Sequence, residues 1–146
     1  MSLITAKLRA IMALDPARTE IDFEGRDYSW GDLARVVQGI EAELDSLGLP
    51  ADARVGVMLR NRPGHIAAIL AVLSGDRCLV SLNPILPDDK LFADLSGLNL
   101  PVVIADEGDA LRPGLAECLA ASGTALIAIG ARMEGVRLAQ AGGART

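Results

Sequence analysis

The chain has 146 residues, with 19 acidic against 14 basic side chains and a formal net charge of -5 at pH 7. This acidic balance argues against a nucleic-acid-binding protein, because phosphate backbones select for a basic face. Apolar residues make up 51% of the sequence, which excludes a disordered acidic tail and gives a single domain, residues 1–146, enough material for a core.

No segment predicts a secretion signal or a membrane span. The first twelve residues are interrupted by Lys7 and Arg9, and the longest apolar run, Ile66 to Leu73, is far shorter than the roughly 20 residues that a span requires. Cys78 and Cys118 are distant in sequence and have apolar neighbours, which is typical of buried structural thiols. We therefore expect a soluble, cytoplasmic protein.

The first fifty residues predict a helix, a hairpin and a second helix. Apolar and polar residues alternate on both sides of Gly25-Arg26, as in a β-hairpin. Ser29, followed at the third position by Asp32, is a capping-box pattern that opens the second helix, and Gly48 ends it. The apolar residues of this helix recur at helical spacing: Leu33, Val36, Val37, Ile40, Leu44 and Leu47.

Residues 51–130 predict a parallel sheet with crossover helices. Four short apolar runs begin 23 or 24 residues apart, and they lie at 54–59, 78–82, 101–105 and 124–129. The intervening helices are expected at 63–74, 87–98 and 111–122. Because Val, Ile and Leu are nearly continuous in the runs, helices should cover both faces, giving an open, mostly parallel, three-layer α/β sheet of the flavodoxin or Rossmann type. Residues 131–146 lack periodicity and are expected to be a frayed tail.

Most catalytic templates are absent from the sequence. It contains no G-x-x-x-x-G-K-[ST] phosphate loop, no G-x-G-x-x-G after a strand and no G-x-S-x-G nucleophile elbow. One histidine and two cysteines are too few for a zinc or iron site made of those residues. Structural interpretations are preferred for the remaining candidates: Ser74 at a helix end, His65 as a packing or surface residue, Asp88 and Asp89 at a helix start, and Glu41, Glu43 and Asp45 on a solvated helix face. We assign no catalytic, cofactor-binding or metal-binding residue.

Two asparagines mark the edge where an open α/β sheet places its ligands. Asn61 and Asn83 each follow the carboxyl end of a predicted strand, although Asn also stabilises turns, which is the preferred interpretation. A stand-alone flavodoxin-like binding module would hold its ligand above these residues and Asp106. A third hypothesis is a noncatalytic interaction domain that offers its apolar helix at 63–74 as a partner surface.

Five short motifs follow one another along the chain: Tyr28-Ser-Trp-Gly-Asp-Leu33, Leu47-Gly48-Leu49, Asp52-Ala-Arg-Val-Gly-Val-Met-Leu-Arg-Asn61-Arg-Pro63, Ile69-Leu-Ala-Val-Leu-Ser-Gly75 and Leu82-Asn83-Pro84. In this order, and with the helix that begins at Pro87, they resemble the start of the adenylate-forming, or AMP-binding, synthetases and ligases. That family includes acyl-CoA synthetases, luciferases and nonribosomal peptide adenylation domains. The resemblance covers about residues 16–108. It departs from the family pattern at Asp76-Arg77-Cys78, where small and apolar residues are common.

The resemblance implies that the chain is an N-terminal segment of an ATP-dependent carboxylate ligase. Such enzymes join a carboxylate to AMP, release pyrophosphate and often transfer the acyl group to CoA. Their ATP, magnesium and CoA are bound by a Ser/Thr/Gly-rich phosphate loop, acidic residues and a mobile C-terminal domain that have no counterpart in this sequence. We therefore expect no cofactor and no activity in this chain alone. The remainder of the ligase is the expected partner, and an apolar face left uncovered would favour a homo-oligomer.

Overall fold

The computed structural model describes residues 3–12, 19–23, 25–50, 52–130 and 135–142. In chain order the elements are α1 (Leu3–Met12), β1 (Thr19–Phe23), β2 (Arg26–Ser29), α2 (Trp30–Ser46), β3 (Arg54–Met58), α3 (Pro63–Ser74), β4 (Cys78–Leu82), α4 (Asp88–Leu98), β5 (Val102–Asp106), α5 (Glu107–Ala110), α6 (Leu115–Ala121), β6 (Ala125–Ile129) and β7 (Val136–Gln140). This order confirms an open α/β fold that is preceded by a hairpin and an amphipathic helix. None of the helices in these ranges combines the length and the apolarity that a membrane span needs.

The hairpin and α2 form as their local sequence predicts. β1 and β2 pair antiparallel around Gly25, whose φ of 76° is favourable for glycine. Ser29 Oγ accepts the N–H of Asp32 at 3.1 Å, and Asp32 Oδ2 accepts the N–H of Ser29 at 3.0 Å. These two bonds complete the capping box that starts α2. The buried residues of α2 belong to the predicted stripe: Leu33, Val36, Val37, Ile40 and Leu44. Leu47, the remaining residue of that stripe, is the C-cap and is only partly buried.

The main sheet has the strand order β4-β3-β5-β6-β7. The first four strands are parallel, and β7 runs antiparallel to β6. Val55 of β3 lies opposite Leu79 on one side and Val102 on the other, so β3 has neighbours along both edges. β4 follows β3 in the chain but lies on the opposite side of it from β5. The gap between the carboxyl ends of β3 and β5 is therefore the topological switch point of the sheet, where open α/β proteins place ligands.

Helices cover both faces of this sheet. Val55 and Val57 of β3 pack in the same apolar cluster as residues of α2 and α3. Met58 points into the other cluster, which contains apolar residues of α4 and α6. Gly56 also faces this cluster. The side chains there pack so closely against its backbone that a Cβ at Gly56 would lie 2.7 Å from Leu100 Cδ1. The two clusters explain why the strand sequences are apolar at successive positions.

Two predictions about the backbone are wrong. Val136–Gln140 of the predicted frayed tail forms β7, and its apolar pattern is weak because this edge strand is only partly buried. The predicted helix at 111–122 is shortened to α6 (Leu115–Ala121), because Pro113 and Gly114 interrupt the segment before it; Gly114 adopts a φ of 84°. The short helix α5 (Glu107–Ala110) precedes the predicted range. The rest of the predicted tail, residues 131–134 and 143–146, lies outside the described residues.

The cysteine prediction is wrong for one of the two thiols. Cys78 begins β4, an edge strand, and its side chain is exposed, whereas Cys118 is partly buried. The apolar sequence neighbours of both thiols predict that both are buried. Apolar neighbours in the sequence do not ensure burial at the edge of a sheet. A residue of an edge strand has a neighbouring strand on one side only, and its other side is open to solvent.

Candidate functional site

Four charged side chains meet at the switch point. Arg60 and Arg62 follow β3, Asp106 is the last residue of β5, and Asp109 lies one turn further on in α5. The two arginines are 44 to 49 residues from their carboxylate partners in the sequence. They meet because β3 and β5 are neighbours in the sheet.

The first ion pair is a two-pronged contact between Arg60 and Asp109. Arg60 Nε donates to Asp109 Oδ2 at 2.5 Å, and Arg60 Nη2 donates to Asp109 Oδ1 at 2.7 Å. The side chain of Asp109 is only 9% exposed, whereas that of Arg60 is 33% exposed. The carboxylate of Asp109 raises the pKa of Arg60 above its usual value. The fork geometry fixes the Arg60 guanidinium against α5.

The second ion pair joins Arg62 to Asp106. Arg62 Nη1 contacts Asp106 Oδ2, and the Asp106 side chain is almost completely buried. Asp106 Oδ1 accepts the N–H of Asp109 at 2.7 Å and so caps the N-terminus of α5. Both carboxylate oxygens of Asp106 are thus occupied by groups of the chain itself.

His65 fixes the turn that carries the two arginines. Its ring is buried in the first turn of α3, with Nδ1 2.6 Å from the backbone N of Arg60 and 2.8 Å from the backbone O of Arg60. The histidine therefore packs in the core, one of the two positions that the sequence analysis expects. Nε2 is buried and has no hydrogen-bond partner among the described residues.

The asparagines do not join this cluster. Asn83 Oδ1 accepts the N–H of Ile85 at 3.0 Å, which is the local turn role that the sequence predicts for it. Asn61 is exposed in the bend between Arg60 and Arg62. Of the three residues proposed for a flavodoxin-like ligand site, only Asp106 faces the switch point, and its oxygens are already bonded.

Three of the other acidic candidates, Asp88, Asp45 and Glu41, have arginine partners. Asp88, at the start of α4, binds Arg112 at 2.7 Å, while Asp89 is exposed. Asp45 is exposed and pairs with Arg77. The prediction of a solvated position is wrong for Glu41, whose side chain is 17% exposed.

Glu41 instead joins three helices. Its Oε1 accepts the hydroxyl of Ser74, the last residue of α3, at 2.9 Å, and it lies 3.3 Å from Arg9 Nη2 of α1. The helix periodicity places Glu41 on the polar side of α2, but it cannot reveal that α1 and α3 pack there. Ser74 ends its helix as predicted.

The switch-point cluster does not fit a magnesium or ATP site. Magnesium needs free carboxylate oxygens, and those of Asp106 and Asp109 are neutralised by Arg62 and Arg60. Across the described parts of the chain, no group of three His, Cys, Asp or Glu side chains could hold a metal ion. For the same reason the two carboxylates are not poised as a general acid and base. The arrangement locks the loops after β3 and β5 together.

Sequence reasoning misses this cluster, although a signal for it exists. Arg60 and Arg62 flank Asn61 immediately after one apolar run, and Asp106 and Asp109 follow another. Opposite charges at the carboxyl ends of two parallel strands predict an ion pair if the strands are neighbours. The strand order, which local patterns do not specify, decides whether they are.

The comparisons with known proteins agree with this fold. Residues 8–140 match the family described as AMP-binding enzyme. The AMB antimetabolite synthetase AmbB of Pseudomonas aeruginosa is 29% identical over 91 residues, which cover 62% of this chain and 7% of AmbB. The crystal structure of IdnL1 has a TM-score of 0.77 and 24% identity, covering 97% of this chain and 27% of IdnL1. A benzoate CoA ligase from Burkholderia xenovorans has a TM-score of 0.74 and 16% identity, covering 99% and 31%.

The chain thus spans less than a third of the length of these three proteins. The matched residues include the hairpin, α2 and the whole of the main sheet. The region matched to the family contains Arg60, Arg62, Asp106 and Asp109. The chain belongs to the AMP-binding enzyme family.

Proposed function

We propose that this chain supplies the N-terminal segment of an ATP-dependent carboxylate ligase, and that it forms no acyl adenylate by itself. The complete ligase would form acyl-AMP and then acyl-CoA, using ATP, magnesium and CoA. Family membership over residues 8–140 supports the ligase assignment. The small share that the chain covers of AmbB and of the benzoate CoA ligase supports the role of a segment.

The pairing of the switch-point charges is the observation that carries the second half of the proposal. Adenylate formation requires donors arranged around phosphates, a metal that offsets their charge and a cation near the leaving group. Arg60 and Arg62 already have carboxylate partners. The two lysines of the sequence, Lys7 and Lys90, lie exposed on α1 and in the first turn of α4, and neither follows a glycine-rich loop in the sequence. The net charge of -5 also disfavours long-range attraction of ATP.

A preformed apolar feature supports the remainder of the ligase as the partner. The large aliphatic side chains of Ile85 and Leu111 are 81% and 76% exposed. The guanidinium of Arg112 holds their two loops together by donating to the carbonyl oxygens of Pro84 at 2.7 Å and Leu86 at 2.8 Å. Both exposed side chains are therefore available for an apolar contact with the remainder of the ligase. The free thiols fit a reducing cytoplasm, the location we propose.

ATP–pyrophosphate exchange with a panel of aliphatic and aromatic carboxylic acids tests the proposal. We expect no exchange above a no-protein blank, while a complete AMP-forming ligase assayed alongside exchanges readily. The matched variant is Arg62→Gln, which removes a switch-point cation. Carboxylate-dependent exchange that is present in the natural chain and reduced in Arg62→Gln would overturn the proposal. Equal exchange by both proteins would point to a contaminating ligase, which repurification would remove.

A further inference from the structure

The outer edge of β4 has backbone hydrogen-bonding groups that pair with no other strand among the described residues. β4 is the first strand of the sheet, and it pairs only with β3 among the described residues. Cys78 N donates to Ala53 O at 2.9 Å, and Leu82 O accepts from Leu59 N at 3.1 Å, so the backbone of alternate residues from Cys78 turns toward β3. The backbone N–H and C=O groups of Leu79 and Ser81, at the positions between, consequently point outward.

This edge lacks the features that normally prevent strand pairing. The sequence Cys-Leu-Val-Ser-Leu of β4 contains no charged residue and no proline, and its five-residue register with β3 has no bulge. Natural edge strands are usually protected by lysine, proline, a bulge or a covering element. The other edge of the sheet differs, because β7 carries Arg137, whose side chain is 52% exposed. β4 is therefore the less protected of the two edges.

The neighbouring helix leaves room beside this strand. A groove of about 470 Å³ runs between β4 and α4. On the α4 side it is lined by Leu91, Ala93, Asp94, Gly97 and Leu98. Leu91 is buried and Leu98 is partly buried, whereas Ala93, Asp94 and Gly97 are exposed. On the strand side it is lined by Ser81 and Leu82. The exposed α4 residues that an approaching strand would meet in this groove therefore have small or short side chains.

We propose that a second copy of this chain occupies the edge, with its own β4 antiparallel to the first and a two-fold axis at Val80. In that register Leu79 of each copy lies opposite Ser81 of the other. Each such pair exchanges two N–H to O=C bonds, so all the outward backbone groups of both strands are satisfied. Val80 faces its counterpart in the close, non-hydrogen-bonded position, which suits a β-branched pair. The two sheets then form one continuous sheet.

The self-complementary register favours a second copy over other occupants. An uncharged strand brings no like charges together when it pairs with itself, and Cys78 comes opposite Leu82. A two-fold contact is closed, so assembly stops at the dimer. Pairing of β4 with β7 of another copy would instead be open-ended and would place Arg137 at the seam. The dimer is independent of the proposed ligase role.

Sedimentation of the full 146-residue chain over a wide concentration range tests the dimer. We expect a mass approaching twice the 15.2 kDa of one chain as the concentration rises. Ser81→Lys places a charge on the exposed edge and should weaken association about tenfold or more. Ala120→Lys, which adds the same charge to the exposed side of α6, is the matched control and should leave association unchanged. Circular dichroism verifies that both variants are folded.

A cysteine at the axis tests the register itself. With Cys78→Ser and Cys118→Ser in place, Val80→Cys should form a disulfide-linked dimer under mild oxidation, because opposite residues at the axis lie about 4.5–5.5 Å apart between Cα atoms. Ala120→Cys in the same background should not. A monomer at every concentration overturns the proposal. In that case a strand of another protein would be the candidate for pairing with the β4 edge. A dimer that Ser81→Lys does not weaken, or that Val80→Cys does not cross-link, also overturns it.

Discussion

The Arg60–Asp109 pair should be the most consequential polar contact of the described structure. Replacing Asp109 by Asn keeps the shape of the side chain but removes its charge. The two short bonds from Arg60 then become at most one bond to a neutral oxygen. The Arg60 guanidinium then has no carboxylate partner of its own and lies near Arg62. Asp106 carries one negative charge, so it cannot neutralise both arginines.

The size of the effect follows from the exposure of the two partners. Breaking a fully buried ion pair by removing one partner costs about 3–5 kcal/mol. Asp109 is 9% exposed, but a third of the Arg60 side chain reaches water and can be rehydrated. We therefore expect Asp109→Asn to lower the free energy of unfolding by about 2 kcal/mol, which is a large fraction of the stability of a domain of this size.

Urea denaturation of the natural chain and the variant measures this difference. The matched control is Asp45→Asn, because Asp45 also pairs with an arginine, Arg77, but its side chain is 72% exposed. That change should cost about 0.5 kcal/mol or less. The double-mutant cycle with Arg60→Gln should give a coupling free energy well above zero. The reasoning is refuted if Asp109→Asn is no more destabilising than Asp45→Asn.

Two further perturbations test the core and the cap of α2. Gly56→Ala should lower the free energy of unfolding by about 1–2 kcal/mol, since the added Cβ would lie 2.7 Å from Leu100 Cδ1. Gly97→Ala, on the exposed side of α4 with no atom near the new Cβ, should raise it by roughly 0.5–1 kcal/mol; equal effects in urea unfolding would contradict this contrast. The backbone N–H of Ser29 lowers the pKa of Asp32, so its stabilising contribution is present above the unfolded pKa of about 3.9 and lost as the pH falls through the lowered folded value. Asp32→Ala should therefore cost roughly 0.5–1 kcal/mol at pH 7 and much less in acid, and a cost that is constant with pH would contradict the capping role.

Local sequence patterns predict the helices and strands whose buried residues recur at a regular spacing. The apolar spacing in α2 and the nearly continuous apolar runs of the strands each report which faces are covered, and the structure confirms both. α3 occupies the predicted 63–74, because Pro63 and Gly75 mark its ends in the sequence. β3 and β6 each differ from prediction by one residue at one end, and β5 differs by one residue at both ends.

Features that depend on strand order were beyond local reasoning. The Arg60–Asp109 and Arg62–Asp106 pairs exist because β5 lies beside β3, and no short-range pattern specifies this neighbour. Edge position explains the exposure of Cys78 and the weak pattern of β7. β4 and β7 are the two edge strands of the sheet, and only the strand order shows this.

The departure from the family pattern at Asp76-Arg77-Cys78 has a structural explanation. Asp76 adopts a φ of 59° in the turn between α3 and β4, and its Oδ1 accepts the hydroxyl of Thr5 at 2.6 Å. Arg77 reaches Asp45 of α2 at 2.8 Å. The polar residues therefore connect α1, α2 and the start of β4 without disturbing the packing of the sheet.

The central claim is that the switch-point charges hold the fold together and bind no nucleotide in this chain. A titration of the ¹⁵N-labelled chain with magnesium and ATP, followed by backbone amide NMR, tests it most directly. We predict that the amide resonances of Arg60, Arg62, Asp106 and Asp109 stay in place throughout the titration. A saturable shift confined to these residues and their neighbours would contradict the claim, because it would show that a nucleotide displaces the ion pairs.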